Sequence, residues 1–167
     1  MAVLPILTQE APILRQKARR VPRVDDSIRK LFDDMVDTMV AAPGVGLAAP
    51  QIGVGLRVVV IKTDTNLYTL ANPEMVKGEG EQVGLEGCLS VPGYVGEVRR
   101  FMKVVARGLN RHGKTVKIKG DALLARAIQH EIDHLDGILF TDRLTSLDTL
   151  RKVEPQEQEK EAELVGA

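Results

Sequence analysis

The chain has 167 residues, 44% of them hydrophobic and only 3% aromatic, with 23 basic residues balancing 23 acidic ones. That length suits one ordinary domain with a packed core. Zero formal net charge argues against nucleic-acid binding as the main task, and a single cysteine excludes an intramolecular disulfide.

Residues 1–22 read as irregular, punctuated by Pro5, Pro12 and Pro22. These prolines and Gln9 and Glu10 interrupt the early apolar residues, so neither a signal peptide nor a membrane anchor is expected. Ile28, Leu31, Phe32, Met35, Val36, Met39 and Val40 then recur at three and four, the stripe of an amphipathic helix. Asp25 and Asp26 stand at its start, and Pro43 and Gly44 end it.

Leu56 to Ile61 reads as a buried strand and Leu67 to Leu70 as a second, stopped by Asn72-Pro73. Val98 to Leu109 is predicted as one long strand and Val116 to Lys119 as another, with Asn110 to Gly113 as the hairpin turn between them. A second helix follows Gly120, with Asp121 at its N-cap and Gly137 as a left-handed stop. Residues 151–167 form a charged tail with three basic residues and five acids. Residues 1–150 are thus expected to form a single domain, and the order of elements suggests an α+β fold with antiparallel sheet.

The second helix carries His130-Glu131-Ile132-Asp133-His134. Residues four apart lie one turn above each other, so both imidazoles can reach one ion while Glu131 stands aside to handle protons. A solvated face bearing two histidines is the bland alternative. The chain has only three histidines, however, and two occupy this spacing. His112, in the predicted turn, reads as a surface residue.

A catalytic site needs a third protein ligand. The extended His-Glu-x-x-His-x-x-Gly-x-x-His pattern is closed because position 140 is Phe140. Glu154 lies downstream but precedes Pro155 and opens the acidic tail, a poor place for a rigid ligand. Cys88 is the remaining route, and the residues around it leave open a ligand or a small buried hydrophobe.

Gly44-Val45-Gly46-Leu47-Ala48-Ala49-Pro50-Gln51, Glu86-Gly87-Cys88-Leu89-Ser90 and His130 to His134 together resemble, in order and spacing, the three signature motifs of the peptide deformylases. Pro12, Leu14-Arg15, Ala18 and Val21 are similar to that family's opening segment, so the likeness covers about residues 1–145. It implies an antiparallel sheet packed around a central HExxH-bearing helix, and removal of the formyl group from N-formylmethionine on newly made polypeptides. Carried over by position, Cys88, His130 and His134 would hold one divalent ion, Fe2+ in the cell, with Zn2+, Ni2+ or Co2+ as substitutes. A metal-bound water would be the nucleophile and Glu131 the general acid/base. Gln51 and the Leu89 N–H would bind the oxyanion. Val45, Gly46 and Gly87 would offer backbone groups to a strand-like substrate.

Leu123, Ala127 and the stem of Arg126 lie one or two turns before His130 and are expected to line the methionine pocket. Glu86 is expected to steady a ligand histidine or pair with Arg100, and Asp133 to pair with an arginine. The expected setting is the bacterial cytoplasm, an organelle being the alternative. Action near the ribosome suits the substrate, but an acidic tail is not expected to dock on RNA. Two rivals keep other ligand sets: a zinc endopeptidase using Glu154, and a structural metal domain closed by His112.

Overall fold

Asp25 caps the first helix in the computed structural model, which describes residues 2–154. Its carboxylate accepts from the Ile28 N–H at 3.1 Å, and α1 runs Asp26–Ala41. This is the helix that the apolar stripe predicted. Its buried residues, including Phe32, Met35 and Met39, pack on one face of a five-stranded antiparallel sheet.

That sheet contains β1 (Gly46–Ala48), β2 (Val58–Lys62), β3 (Leu67–Glu79), β6 (Lys103–Leu109) and β7 (Thr115–Asp121), in the order β1-β2-β3-β6-β7. The second helix, α2 (Ala122–Leu135), covers the opposite face. Burial on both faces explains why β2 is apolar from Val58 to Ile61, before the exposed Lys62. Val58 and Val60 point to the α1 side, while Val59 and Ile61 point to Ala125, Ile128 and Ile132 of α2.

A second sheet, in the order β4-β5-β8, comprises β4 (Gln82–Cys88), β5 (Val91–Arg100) and β8 (Arg151–Lys152). Val91 and Val98 close a smaller core there with Leu139 and Phe140. Tyr94 pairs with Lys152 and Val95 with Arg151, and Val153 is buried. The expected tail therefore begins with two paired residues; positions 155–167 lie outside the described residues. Among the described residues, no helix is long and apolar enough to cross a membrane.

Three strand expectations are corrected. Asn72-Pro73 does not stop β3; the strand continues to Glu79 with a register shift between Ala71 and Glu74. Asn72 takes a positive φ of 52°, and its side-chain amide bonds Val21 in both directions, accepting at 2.7 Å and donating at 2.9 Å. A non-local clamp thus turns a breaker into a bulge. The predicted Val98–Leu109 strand is two strands in different sheets, divided at Phe101-Met102. Finally, β4 and the first part of β5 were not foreseen. Their glycines and charged residues obscure the alternation, and cross-strand pairing decides their form.

At α2, Asp121 holds the N-cap position but makes no side-chain cap. The helix follows β7 directly through Ala122, whose N–H donates to Met102 O at 2.9 Å. Gly137 has φ 76°, and the Ile138 N–H returns to Asp133 O at 2.9 Å, the left-handed stop that was expected.

Candidate metal centre

Helical spacing brings His130 and His134 onto one buried face of α2, with ring centroids 5.0 Å apart. β4 delivers Cys88 against them. Its Sγ lies 3.3 Å from His134 Nε2, and one donor atom from each of Cys88, His130 and His134 lies within 4.8 Å of the others. The register shift between Gly87 and Cys88 falls at this point, where a bulge re-aims the strand end. Neither rival ligand joins the cluster: Glu154 and His112 are both exposed.

The other predicted residues surround this cluster to different degrees. Gln51, buried in a 3₁₀ turn after β1, accepts from the Ala48 N–H at 2.9 Å. Its Nε2 donates to Ser90 Oγ at 3.1 Å and faces Cys88 Sγ at 3.7 Å. Leu89 is half-buried in the turn after Cys88. Gly46 lies so close to the acid that a Cβ there would meet Glu131 Oε2 at 2.6 Å. Gly87 is buried on β4 opposite Val95. Val45 and Leu123 stand farther out, lining with Pro43, Leu124 and Ala127 a cleft of about 760 Å³. The Val45 carbonyl already accepts from the Lys62 N–H at 2.8 Å.

A buried charge network supports the cluster from behind. Glu86 accepts from Arg100 Nε and Nη2 at 2.8 and 2.9 Å, from Arg126 Nη1 at 2.5 Å, and lies 2.7 Å from His130 Nδ1. It therefore fills both alternatives the sequence offered, histidine support and arginine pairing. Arg100 also donates to Asp133 at 2.6 Å, and Arg143 reaches Asp133 from the half-exposed side at 2.5 and 3.0 Å. Burial by itself would raise the Glu86 carboxyl; its bonds to Arg100 and His130 outweigh that and hold it well below the usual carboxylate range.

Sequence reasoning missed the burial of the Arg126 head, the Ser90 hydroxyl and the role of Arg143. Ser90 was in view within its motif, and Arg126 stands one turn before His130. Nothing in the sequence marked Arg143.

The protein groups alone are poorly matched to so dry a place. Burial pushes the Cys88 thiol up to about 12, lifts the Glu131 carboxyl well above its ordinary range, and holds His134 well below the usual histidine value. His130 Nε2, His134 Nδ1 and both Glu131 carboxylate oxygens are buried without a hydrogen-bond partner. With His130 Nδ1 committed to Glu86, its Nε2 is left as the free donor atom. A divalent cation answers this arrangement, because it favours thiolate and neutral imidazole together. One sulfur and two imidazole nitrogens suit Fe2+, Co2+, Ni2+ or Zn2+ rather than Mg2+ or Ca2+.

Fold and cluster together define a class, that of α+β proteins in which a strand-borne cysteine converges on the two histidines of an HExxH helix. The chain belongs to the polypeptide deformylase family, whose model matches residues 3–150. It is 53% identical over 167 residues to the peptide deformylase of Symbiobacterium thermophilum, covering 98% of this chain and 76% of that protein. It is 51% identical over 160 residues to that of Dehalococcoides mccartyi, covering 95% and 96%. The crystal structure of a peptide deformylase from Legionella pneumophila matches with a TM-score of 0.84 at 43% identity, over 96% of this chain and 94% of that one. A peptide deformylase from Synechococcus elongatus in complex with actinonin matches with a TM-score of 0.84 at 38% identity, over 87% and 81%. The family is metal-dependent, and the Cys88–His130–His134 cluster is the candidate site for the ion.

Proposed function

We propose that this protein hydrolyses the formyl amide of N-formylmethionine at the start of newly made polypeptides, releasing formate and a free amine. The observation that carries this reading is the convergence of Cys88, His130 and His134 beside Glu131, in a member of the deformylase family. Cys88, His130 and His134 would hold the divalent ion, Fe2+ by preference, with Zn2+, Ni2+ or Co2+ able to replace it. When bound, the ion supplies Lewis acidity, making water a nucleophile at neutral pH and polarising the formyl oxygen.

Glu131 takes a proton from the attacking water and returns it to the amine as the C–N bond breaks, a contribution of roughly 10²–10⁴-fold. Its raised proton affinity suits that exchange. Gln51 Nε2 and the Leu89 N–H offer donors to the oxygen that becomes negative, each worth about 3–4 kcal/mol in such a role. The free edges of β1 and β4 bring Gly46 and Gly87 to the two sides of the cluster. With Val45 they can hold an extended peptide as an added strand. Leu123 lines the cleft that would take the methionine side chain. The similar proteins come from bacteria, where formylated chains arise in the cytoplasm beside the ribosome, and that is the proposed setting.

The test is anaerobic turnover of formyl-Met-Ala-Ser by the parent and by Glu131→Ala, with metal content assayed on both. Parent turnover, with metal retained and the rate down on the order of 10² or more in the variant, is expected. A metal-loaded parent that leaves the formyl group untouched overturns the assignment.

A further inference from the structure

Arg143 belongs to none of the sequence motifs and stands in the short 3₁₀ turn Phe140–Arg143 that follows α2. It grips Asp133 with two arms: Nε donates to Oδ2 at 2.5 Å and Nη2 to Oδ1 at 3.0 Å. The same Asp133 Oδ2 accepts from Arg100 Nη1 at 2.6 Å. Arg100 turns its other edge, Nε and Nη2, to Glu86 at 2.8 and 2.9 Å, and Glu86 Oε1 lies 2.7 Å from His130 Nδ1. Side-chain exposure falls along this line, from 44% at Arg143 through 12% at Asp133 and 3% at Arg100 to 0% at Glu86 and 1% at His130. A guanidinium at the surface is thus tied, link by link, to a buried metal-ligand candidate.

Asp133 is where the line can fail. Two carboxylates, Glu86 and Asp133, share the one Arg100 guanidinium. Such a group binds a carboxylate best with two parallel bonds from one edge. With the Arg143 fork on Asp133, that carboxylate takes a single Arg100 nitrogen, and the two-bond edge is left to Glu86. Remove the fork and Asp133 Oδ1 is released to turn toward Arg100, in competition with Glu86. Arg143, Asp133 and Arg100 also line, with Arg99, Phe101 and Gln129, a surface cavity of about 340 Å³, so water would enter beside the ion pairs and weaken them further. Glu86 would then hold His130 Nδ1 less firmly. The simpler view makes Arg143 a clip that only fastens its turn to α2. The turn carries a second clip against which this can be judged: Asp142 pairs with Arg15, away from Asp133, Arg100 and Glu86.

We propose that Arg143 is a positioning residue for the metal centre, holding Asp133 so that Arg100 can hold Glu86 against His130. This deepens the metal-centre reading and rests on it.

The experiment measures the Zn2+ dissociation constant by chelator competition for the parent, Arg143→Gln, Arg143→Lys and Arg15→Gln, with the thermal midpoint of each metal-stripped protein. Arg143→Gln is expected to weaken Zn2+ binding about 3- to 10-fold. That is less than the loss of a direct partner of a ligand would cause, since Arg143 acts through others and its contact is partly screened by solvent. Arg143→Lys keeps the cation without the fork and is expected to fall between Arg143→Gln and the parent. Arg15→Gln is expected to keep the parent's affinity, whatever it does to the midpoint. An Arg143→Gln protein with the parent's affinity overturns the inference even if its midpoint drops, because equal affinity means that only the fold was strengthened. Equal losses of affinity in Arg143→Gln and Arg15→Gln overturn it too, by tracing the effect to a loosened turn. A parent that takes up no Zn2+ removes the metal-centre reading itself, whereas a metal-binding parent matched by Arg143→Gln removes this inference alone.

Discussion

Glu86 Oε1 lies 2.7 Å from His130 Nδ1, so a carboxylate on β4 fixes which nitrogen of an α2 histidine faces the cluster. The same carboxylate neutralises Arg100 and Arg126, both almost wholly buried. It therefore orients a ligand and holds together the sheet–helix junction at once. Replacing Glu86 with Gln removes the charge and leaves two buried guanidiniums short of an anion. Metal affinity is expected to fall about 10–100-fold. Stability is expected to fall by about 3–5 kcal/mol. Chelator competition measures the first and denaturant unfolding the second; a variant unchanged in both would remove Glu86 from the support of the site.

Glu86 also sets an acid limit. Its folded pKa lies below its unfolded value of about 4.3. The stability it contributes is therefore fully present above that value and is lost as pH falls toward the folded pKa. The metal-stripped parent is expected to lose stability on acidification below about pH 4.3 more steeply than Glu86→Gln. Equilibrium unfolding at a series of pH values checks this, and parallel slopes would contradict it.

Glu131 has the opposite sign. Burial, then the nearby Glu86 charge, raises its folded pKa above the unfolded value. The folded state binds the proton more tightly, so stability is greatest at low pH and declines as pH rises above about 4.3. In the metal-stripped protein at pH 7, Glu131→Gln is expected to stabilise the fold by roughly 1 kcal/mol while abolishing turnover, a trade of stability for chemistry. A thermal midpoint at or below the parent's would show that the carboxylate is tolerated there after all.

Gly46 gives Glu131 its room. A Cβ would stand 2.6 Å from the Glu131 carboxylate, well inside contact distance. Gly46→Ala is expected to retain metal and fold yet lose about 10²-fold in kcat, because displacing an acid–base group by an ångström is costly. Steady-state kinetics with metal assay tests this; an unchanged kcat would mean that the carboxylate relaxes freely.

Cys88 and Glu154 separate the ligand hypotheses. Cys88→Ala is expected to lose the bound metal and all turnover, whereas Glu154→Ala, altering an exposed side chain, is expected to keep both. Metal analysis after gel filtration decides, and the reverse pattern would restore the endopeptidase alternative.

The sequence by itself determined the two helices and the pair of histidines. Phe32, Met35 and Met39, and the run from Ile128 to His134, are local patterns in which each residue's neighbour is one turn away. Cys88 is different: the residues around it left ligand and buried hydrophobe open, and a resemblance carried by three separate motifs favoured the ligand. Only the tertiary structure brought its sulfur to 3.3 Å from His134, 46 positions later. Only the tertiary structure carried β3 through Asn72-Pro73, since the clamp comes from Val21, 51 positions earlier. The same holds for Glu86, whose partners Arg100, Arg126 and His130 are 14, 40 and 44 positions away. A helix announces itself because its hydrogen bonds and its buried stripe are spaced within a few residues. Sheet register and buried ion pairs are settled between distant segments, by which groups burial leaves in need of a partner.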